Sequence, residues 1–347
     1  MHDLHMGGLA TYALKRGGSL TPIVIPLQIL GNESTGLMNP SIFIHKDKIL
    51  VNVRHVNYIL YHSEAKKFPH AWGPLVYVHP ENDVALKTHN VICEYDWNLN
   101  MVSGGRVNMK LDTGKPTWNF VGLEDARLFE WDDKLYLCGV RRDCYDDKGK
   151  GRMDLSEVEF IDGEWVEQNR YQIPAPNGDA SYCEKNWMPV LDMPWHFVKW
   201  TNPTQVVKFD IETGECTDAF IDETKVYPFG KDLRGGSQVI RLDDNRRMAF
   251  CHETNLLRDP FGRKDGNYAH RVIIWDNDWN IIQTSSEFHF LGTYYDHAKQ
   301  QDFNIEFVTG ATIVGEEILI TFGFQDNASY ILRMNLEVFM QFLNGSP

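Results

Sequence analysis

The stretch GLEDARLFEWDDKLYLCGVRRD, from Gly122 to Asp143, sets two adjacent carboxylates and a guanidinium in front of a strand, a tight polar turn and a second strand. The carboxylates are Glu124 and Asp125, and the guanidinium is Arg127. A carboxylic acid mounted on a rigid strand end is suited to protonating a leaving oxygen, and a neighbouring Arg is suited to orienting it or holding a hydroxyl. If residues 124–127 are extended, Asp125 and Arg127 face one side and Glu124 the other. The same residues alone also describe a surface hairpin with a weak ion pair. Which reading holds depends on whether the chain repeats the plan.

It does. NPSIFIHKDKILVNVRH from Asn39, EDARLFEWDDKLYLCGVRR from Glu124, NWMPVLDMPWHFVKWTNP from Asn186, GSQVIRLDDNRRMAFCHET from Gly236 and ATIVGEEILITFGFQDN after Gly310 share one layout. Each has a small or polar opening, a short apolar run, a turn of charged or Gly/Pro type and a second apolar run. The second runs close on polar pairs: Arg54-His55, Arg141-Arg142, Lys199-Trp200, His252-Glu253 and Gln325-Asp326. Successive copies start roughly 50 to 85 residues apart, near the spacing of propeller blades once loops are allowed for. Further strand patterns between them, such as GRMDLSEVEF, GEWVEQNRYQI and TQVVKFDIETGECTDAF, bring each repeat to about four strands.

The expected fold is therefore all-β: a single five-bladed β-propeller over residues 1–347, with hairpins starting near 39, 124, 186, 236 and 310. Residues 1–36 form a short N-terminal extension. Helical pattern is confined to Leu9–Lys15 and the C-terminal LEVFMQFLNG. A double β-sandwich with the same strand count is the rival. In a propeller the entry loops of the inner strands gather at one rim, so the polar residues at each opening meet there although far apart in sequence.

Composition narrows the function. The 347 residues carry a formal net charge of -14, which disfavours nonspecific contact with a phosphate backbone. The six cysteines form no C-x-x-C pair, no H-x-x-x-H stands on a helix pattern, and no metal site is read. Neither a signal-peptide core nor an apolar run long enough for a membrane span is present, so a soluble, cytoplasmic protein is expected, with homo-oligomerisation left open. There is no Gly-rich dinucleotide fingerprint or Walker pattern. The ten tryptophans suit either core packing or the apolar face of a pyranose.

The segments GLEDARLF, EKNWMPV, RGGSQVIRLDDNRRMAFCHE and FVTGATIVGEEILITFGFQD, with NPSIFI and VNVRH ahead of them, resemble glycoside hydrolase family 130. The order is shared from about Asn39 to Leu332, and EDAR carries Ala126 where the family pattern E-D-P-R has proline. The resemblance implies a five-bladed propeller acting on β-mannosides or related glycosides, mostly as an inverting phosphorylase. It implies Asp125 as general acid, its proton passing through a sugar hydroxyl. Asn39, Arg54, Glu124, Arg127 and Asp326 would then grip the sugar. Lys185 and His252 stand where the family holds phosphate, joined by a cation from Arg141, Arg142 or Arg152. No cofactor is expected beyond inorganic phosphate as co-substrate, and the partner is an oligosaccharide or glycoside.

A hydrolase on this scaffold would need a second carboxylate about 6.5–9.5 Å from the acid to activate water. Glu184, Glu253, Glu306 and Asp326 are the candidates, with Glu253 and Glu306 expected to be free for that role. Asn39 occupies the place where five-bladed β-fructosidases and arabinosidases carry a catalytic aspartate, and an amide does neither job of that group. Two other readings stand beside the glycosidase: a glycosyltransferase using a phosphate-bearing sugar donor, and a glycan-binding propeller without catalysis.

Overall fold

The computed structural model describes the chain apart from residues 1, 6–7, 32–35, 59–67, 71–72, 78–84, 146–147, 179–180, 229–232, 259–263, 297–300 and 346–347. Its strands form five antiparallel blades in chain order around a common axis. The first comprises Leu37–His45, Lys48–Val56, Leu86–Tyr95 and Met101–Asn108. The second comprises Glu124–Trp131, Lys134–Arg141, Arg152–Ile161 and Glu164–Ile173. Met188–Pro189, His196–Trp200, Gln205–Phe209 and Cys216–Ile221 make the third. In the fourth, Arg234–Gly235 and Ile240–Asp243 share the inner position, followed by Arg246–Arg258, Lys264–Asp276 and Ile281–Thr284.

The fifth blade takes one of its strands from the N-terminal extension. Glu306–Val314, Glu317–Phe324 and Ala328–Asn335 come from the end of the chain, but its outer strand is Ser19–Pro22 from the beginning. Pairing Ser19 with Arg333 and Pro22 with Tyr330 locks the ring shut. Pro22 at the blade's edge costs no ladder hydrogen bond there.

Runs such as LYLCGV, MAFC and ILITF are apolar on both faces because each blade lies between two others. The buried side chains accordingly divide into clusters at the seams. Phe129, Trp131, Met153 and Phe197 fill the seam of the second and third blades. Val198, Ala249, Ile273 and Trp275 fill that of the third and fourth. Two of the short helices close the seam of the fourth and fifth. Leu9–Leu14 buries Leu9, Ala10 and Ala13, and Leu336–Leu343 buries Phe339 and Leu343. The latter is capped by the Asn335 side chain, which accepts from the amides of Glu337 and Val338 at 2.9 and 3.2 Å. Among the described residues no helix is long and apolar enough to cross a membrane.

Near the axis the blades are tied by buried polar side chains. Gln238, fully buried, donates to Ser41 Oγ, Ile42 O and Leu128 O and accepts from Ala311 N. One amide thus links the fourth blade to the first, second and fifth. Asn52 donates to Ala126 O, and Thr309 to Pro40 O, across two further seams. Such bonds satisfy carbonyls that a ring of inner strands would otherwise bury unpaired, and they fix the azimuth of each blade and hence of its rim residue.

Candidate active site

Three inner strands enter through the same local device. Asn39, Asp125 and Asn186 have φ of 50°, 51° and 62°, the left-handed region that Asn and Asp tolerate better than other side-chain-bearing residues. In the first two blades the device is a bulge, with the register shifting between Met38 and Ser41 and between Glu124 and Arg127. A bulge re-aims the residue that carries it. It breaks the alternation expected for 124–127, so Glu124 and Asp125 both turn to one cation.

That cation is Arg54. Its Nη1 donates to Asp125 Oδ1 at 2.8 Å and its Nη2 to Glu124 Oε2 at 3.0 Å. Tyr58 Oη at 2.5 Å and Thr88 Oγ1 at 3.2 Å complete the fork. Asn39 Nδ2 donates to the same Asp125 Oδ1 at 2.6 Å. Asn39, Arg54, Glu124 and Asp125 therefore meet, although 86 positions separate Asn39 from Asp125. Burial alone would raise the Asp125 carboxyl, but Arg54, the Asn39 hydrogen bond and Arg127 outweigh it and hold it well below the usual carboxylate range. The side chain keeps 17% of its surface exposed, so a ligand can reach it.

Arg127, expected at the sugar, is fully buried and engaged by the protein itself. It donates to Asp125 O at 2.7 Å, Gly236 O at 2.8 Å and Asn186 Oδ1 at 3.3 Å, joining three blades beneath the rim. Burial lowers its pKa to about 10, with Asp125 opposing. The glycines of RGGS permit this approach, since a Cβ on Gly235 would lie 2.1 Å from Asn186 O.

Arg234, just before those glycines, is the ladder partner of His252. His252 is 2% exposed, its Nδ1 has no hydrogen-bond partner, and its ring stands edge-on to Phe307 at 4.6 Å. Burial first, then His270 and the charges of Arg127, Lys185 and Arg234, push its pKa well below the ordinary imidazole value. Lys185 is exposed, and among the described residues neither it nor Arg234 carries an ion pair. Arg234 was missed from sequence because its only signal is a cation abutting the Gly-Gly pair.

Of the remaining cations, Arg142 stays beside the site, its Nε 3.7 Å from Glu124 Oε1, while the other two serve the protein's own groups. Arg141 is buried against Asp112 at 2.8 Å and Asp143 at 3.2 Å, with Asp154 at 3.8 Å, so three carboxylates surround Nε and Nη2 of the fork expected at phosphate, while its buried Nη1 has no hydrogen-bond partner. Arg142 reaches Gly149 O and Cys183 Sγ. Arg152 donates to Gly151 O and Ser181 O.

The carboxylates expected to be free are also engaged. Glu306 is fully buried and accepts the amides of Phe290 and Leu291 at 2.6 and 2.7 Å. Burial raises its pKa to about 7. Glu253 lies 3.9 Å from Arg271 on the outward strand of its blade. Glu184 accepts from Ser181 N and Trp187 Nε1. Asp326 sits, half-buried with φ 47°, in the turn between the second and third strands of the last blade. That turn lies at the Asn39 rim, since a Cβ on nearby Gly323 would touch Asn39 N at 2.8 Å.

No protein-family model and no curated protein matches the chain. Solved structures do match along nearly its whole length. A β-1,2-mannobiose phosphorylase from Listeria innocua, in complex with β-1,2-mannobiose, aligns with a TM-score of 0.54 at 10% identity over 94% of this chain and 99% of its own. A structure of family GH130, from the glycoside hydrolases that target β-1,2 mannosidic linkages in Candida mannan, aligns at 0.56 and 12% over 92% and 94%. A glycosyl hydrolase from Bacteroides ovatus gives 0.53 and 11% over 96% and 94%. The propeller is thus of the GH130 type, a likeness of fold.

Proposed function

We propose that the protein is a glycoside-active enzyme that cleaves a β-mannoside or related glycoside by inverting phosphorolysis, with Asp125 as its catalytic carboxyl group. The observation that carries this reading is the pairing of two unlike half-sites through Arg127. On one side is a reachable carboxylate held by Asn39 and Arg54; on the other are His252, Lys185 and Arg234, with no carboxylate paired to either of the last two among the described residues. An anion suits the second half and a hydroxyl-bearing ring the first.

In this scheme a phosphate oxygen attacks the anomeric carbon from the face opposite the leaving group. The C–O bond breaks toward the departing sugar, whose oxygen takes a proton. Asp125 is ionised in the free protein, so that proton arrives with the substrates. A sugar hydroxyl that replaces the Asn39 or Arg54 bond weakens the hold on the carboxylate, allows it to accept a proton, and gives a path onward to the leaving oxygen. The engagement of Glu253 and Glu306 favours phosphate over activated water as the nucleophile.

The test follows β-linked manno-oligosaccharides by NMR with and without inorganic phosphate, for the intact protein and Asp125→Asn. Mannose 1-phosphate formed only with phosphate, and reduced by about 10²–10⁴-fold in the variant, is the expected result. Free mannose irrespective of phosphate would replace phosphorolysis with hydrolysis. Sugar binding without turnover would leave a glycan-binding propeller, and turnover only with a sugar-phosphate donor would make it a transferase.

A further inference from the structure

On the opposite rim, where the hairpin turns of the first two blades lie, a cleft of about 470 Å3 runs outward along their seam. Its floor is apolar: Leu50, Leu135, Val158 and Trp165 are buried there. Phe160 stands over one end, 56% exposed, with its ring 5.2 Å from that of Trp165 at an interplanar angle of 57°. The two are directly opposite on paired strands, so the ladder holds their spacing. The seam is braced by parallel pairing of the outermost strands, Trp165 with Val107 and Val166 with Asn108. This is a preformed wall rather than a loop-built surface.

The rim is charged but nearly balanced, with three lysines facing four carboxylates. Lys48 pairs with Glu94 at 2.9 Å and Lys134 with Glu157 at 3.1 Å. Glu159, beside Phe160, is exposed. A strongly charged ligand gains little from such a rim. A neutral ligand rich in hydroxyls gains acceptors from the carboxylates and donors from the ammonium groups, while its apolar face covers an aromatic ring. The volume falls in the range of small-molecule sites, about 300–1,000 Å3.

We propose that this cleft is a second carbohydrate site, taking a neutral pyranose unit of a glycan on the Phe160 ring, at the rim remote from Asp125. The proposal rests on the sugar-active reading above. Strands of eight and nine residues separate the two rims, about 25 Å at 3.3 Å per residue, so one longer glycan chain does not fill both sites by a short step. The second site retains a glycan on the rim remote from the catalytic one, without competing for it.

The test uses the full chain carrying Asp125→Asn, labelled with 15N, titrated with β-1,4-linked mannotriose. The Trp165 indole signal is assigned by its loss in Trp165→Phe. The expected result is a saturable shift of that signal, with Kd raised roughly tenfold by adding Phe160→Ala. Phe160→Ala in the otherwise unaltered protein should leave turnover of the same sugar unchanged. A Trp165 signal that stays still at tens of millimolar sugar, or moves identically with and without Phe160, overturns the proposal. Turnover is measured in parallel: turnover without a Trp165 shift refutes only the second site, and a Phe160-dependent shift without turnover refutes only the catalytic reading.

Discussion

Replacing Arg54 by methionine removes the one group that holds both site carboxylates. The guanidinium is almost fully buried and bonds Asp125, Glu124, Tyr58 and Thr88. Methionine retains part of the apolar stem but leaves Asp125 to Asn39 alone and Glu124 to Arg142 at 3.7 Å. Breaking a buried pair in this way costs about 3–5 kcal/mol, a large share of a total stability of about 5–15 kcal/mol. The pH dependence gives the sharper test. In the unaltered protein the folded Asp125 pKa lies below its unfolded value, so its contribution is present above about pH 3.9 and is lost on acidification through the folded pKa. In the variant the hold of Arg54 is gone and only Asn39 and Arg127 oppose burial, so that pKa rises, and as pH falls the carboxyl takes up a proton and the penalty relaxes. At about 1.4 kcal/mol per pKa unit, the gap between the two proteins should narrow by about 1–3 kcal/mol between pH 7.5 and 5. Urea unfolding at both pH values measures it. A loss below about 1 kcal/mol at pH 7.5, or a gap that does not change with pH, would refute the assignment of Arg54 as the group that keeps Asp125 ionised.

Arg234→Met should raise the KM for phosphate by about tenfold or more with a smaller effect on kcat, read by steady-state kinetics; an unchanged KM removes Arg234 from the anion half-site. His252 is held neutral in the free protein, so an arriving phosphate should favour its protonation. Calorimetry in buffers of different ionisation enthalpy should show net proton uptake, and binding should tighten from pH 8 to 6. Glu306→Gln orphans one of the two amides that Glu306 accepts and should cost about 1–3 kcal/mol in denaturant unfolding, with phosphorolysis retained. Because its folded pKa, about 7, lies above the unfolded value, stability owed to Glu306 should fall as pH rises through that interval.

The contrast between Arg54 and Arg141 shows where sequence reading stops. Both are arginines closing the second strand of a repeat, and the local pattern is nearly the same. Arg54 faces the rim carboxylates of the next blade, whereas Arg141 is enclosed by Asp112, Asp143 and Asp154 of its own surroundings. Likewise, Glu306 opens an inner strand and resembles a free acid, but the amides it serves belong to Phe290 and Leu291 in the segment before that strand.

What the sequence by itself determined is most of the elements: five hairpins, two of the short helices and the Asn or Asp at three strand entries, though not the helix Leu27–Leu30. These depend on alternation, turn chemistry and φ preference, which act over a few residues. What the tertiary structure decided is closure of the last blade by Ser19–Pro22, the union of Asn39, Arg54 and Asp125, the withdrawal of Arg127 and Arg141 into the protein, and the place of Arg234 beside His252. The physical reason is that a charged side chain's role is set by which partner reaches it first. In a ring of blades that partner comes from a strand tens of residues away, at a distance fixed only when the ring is closed.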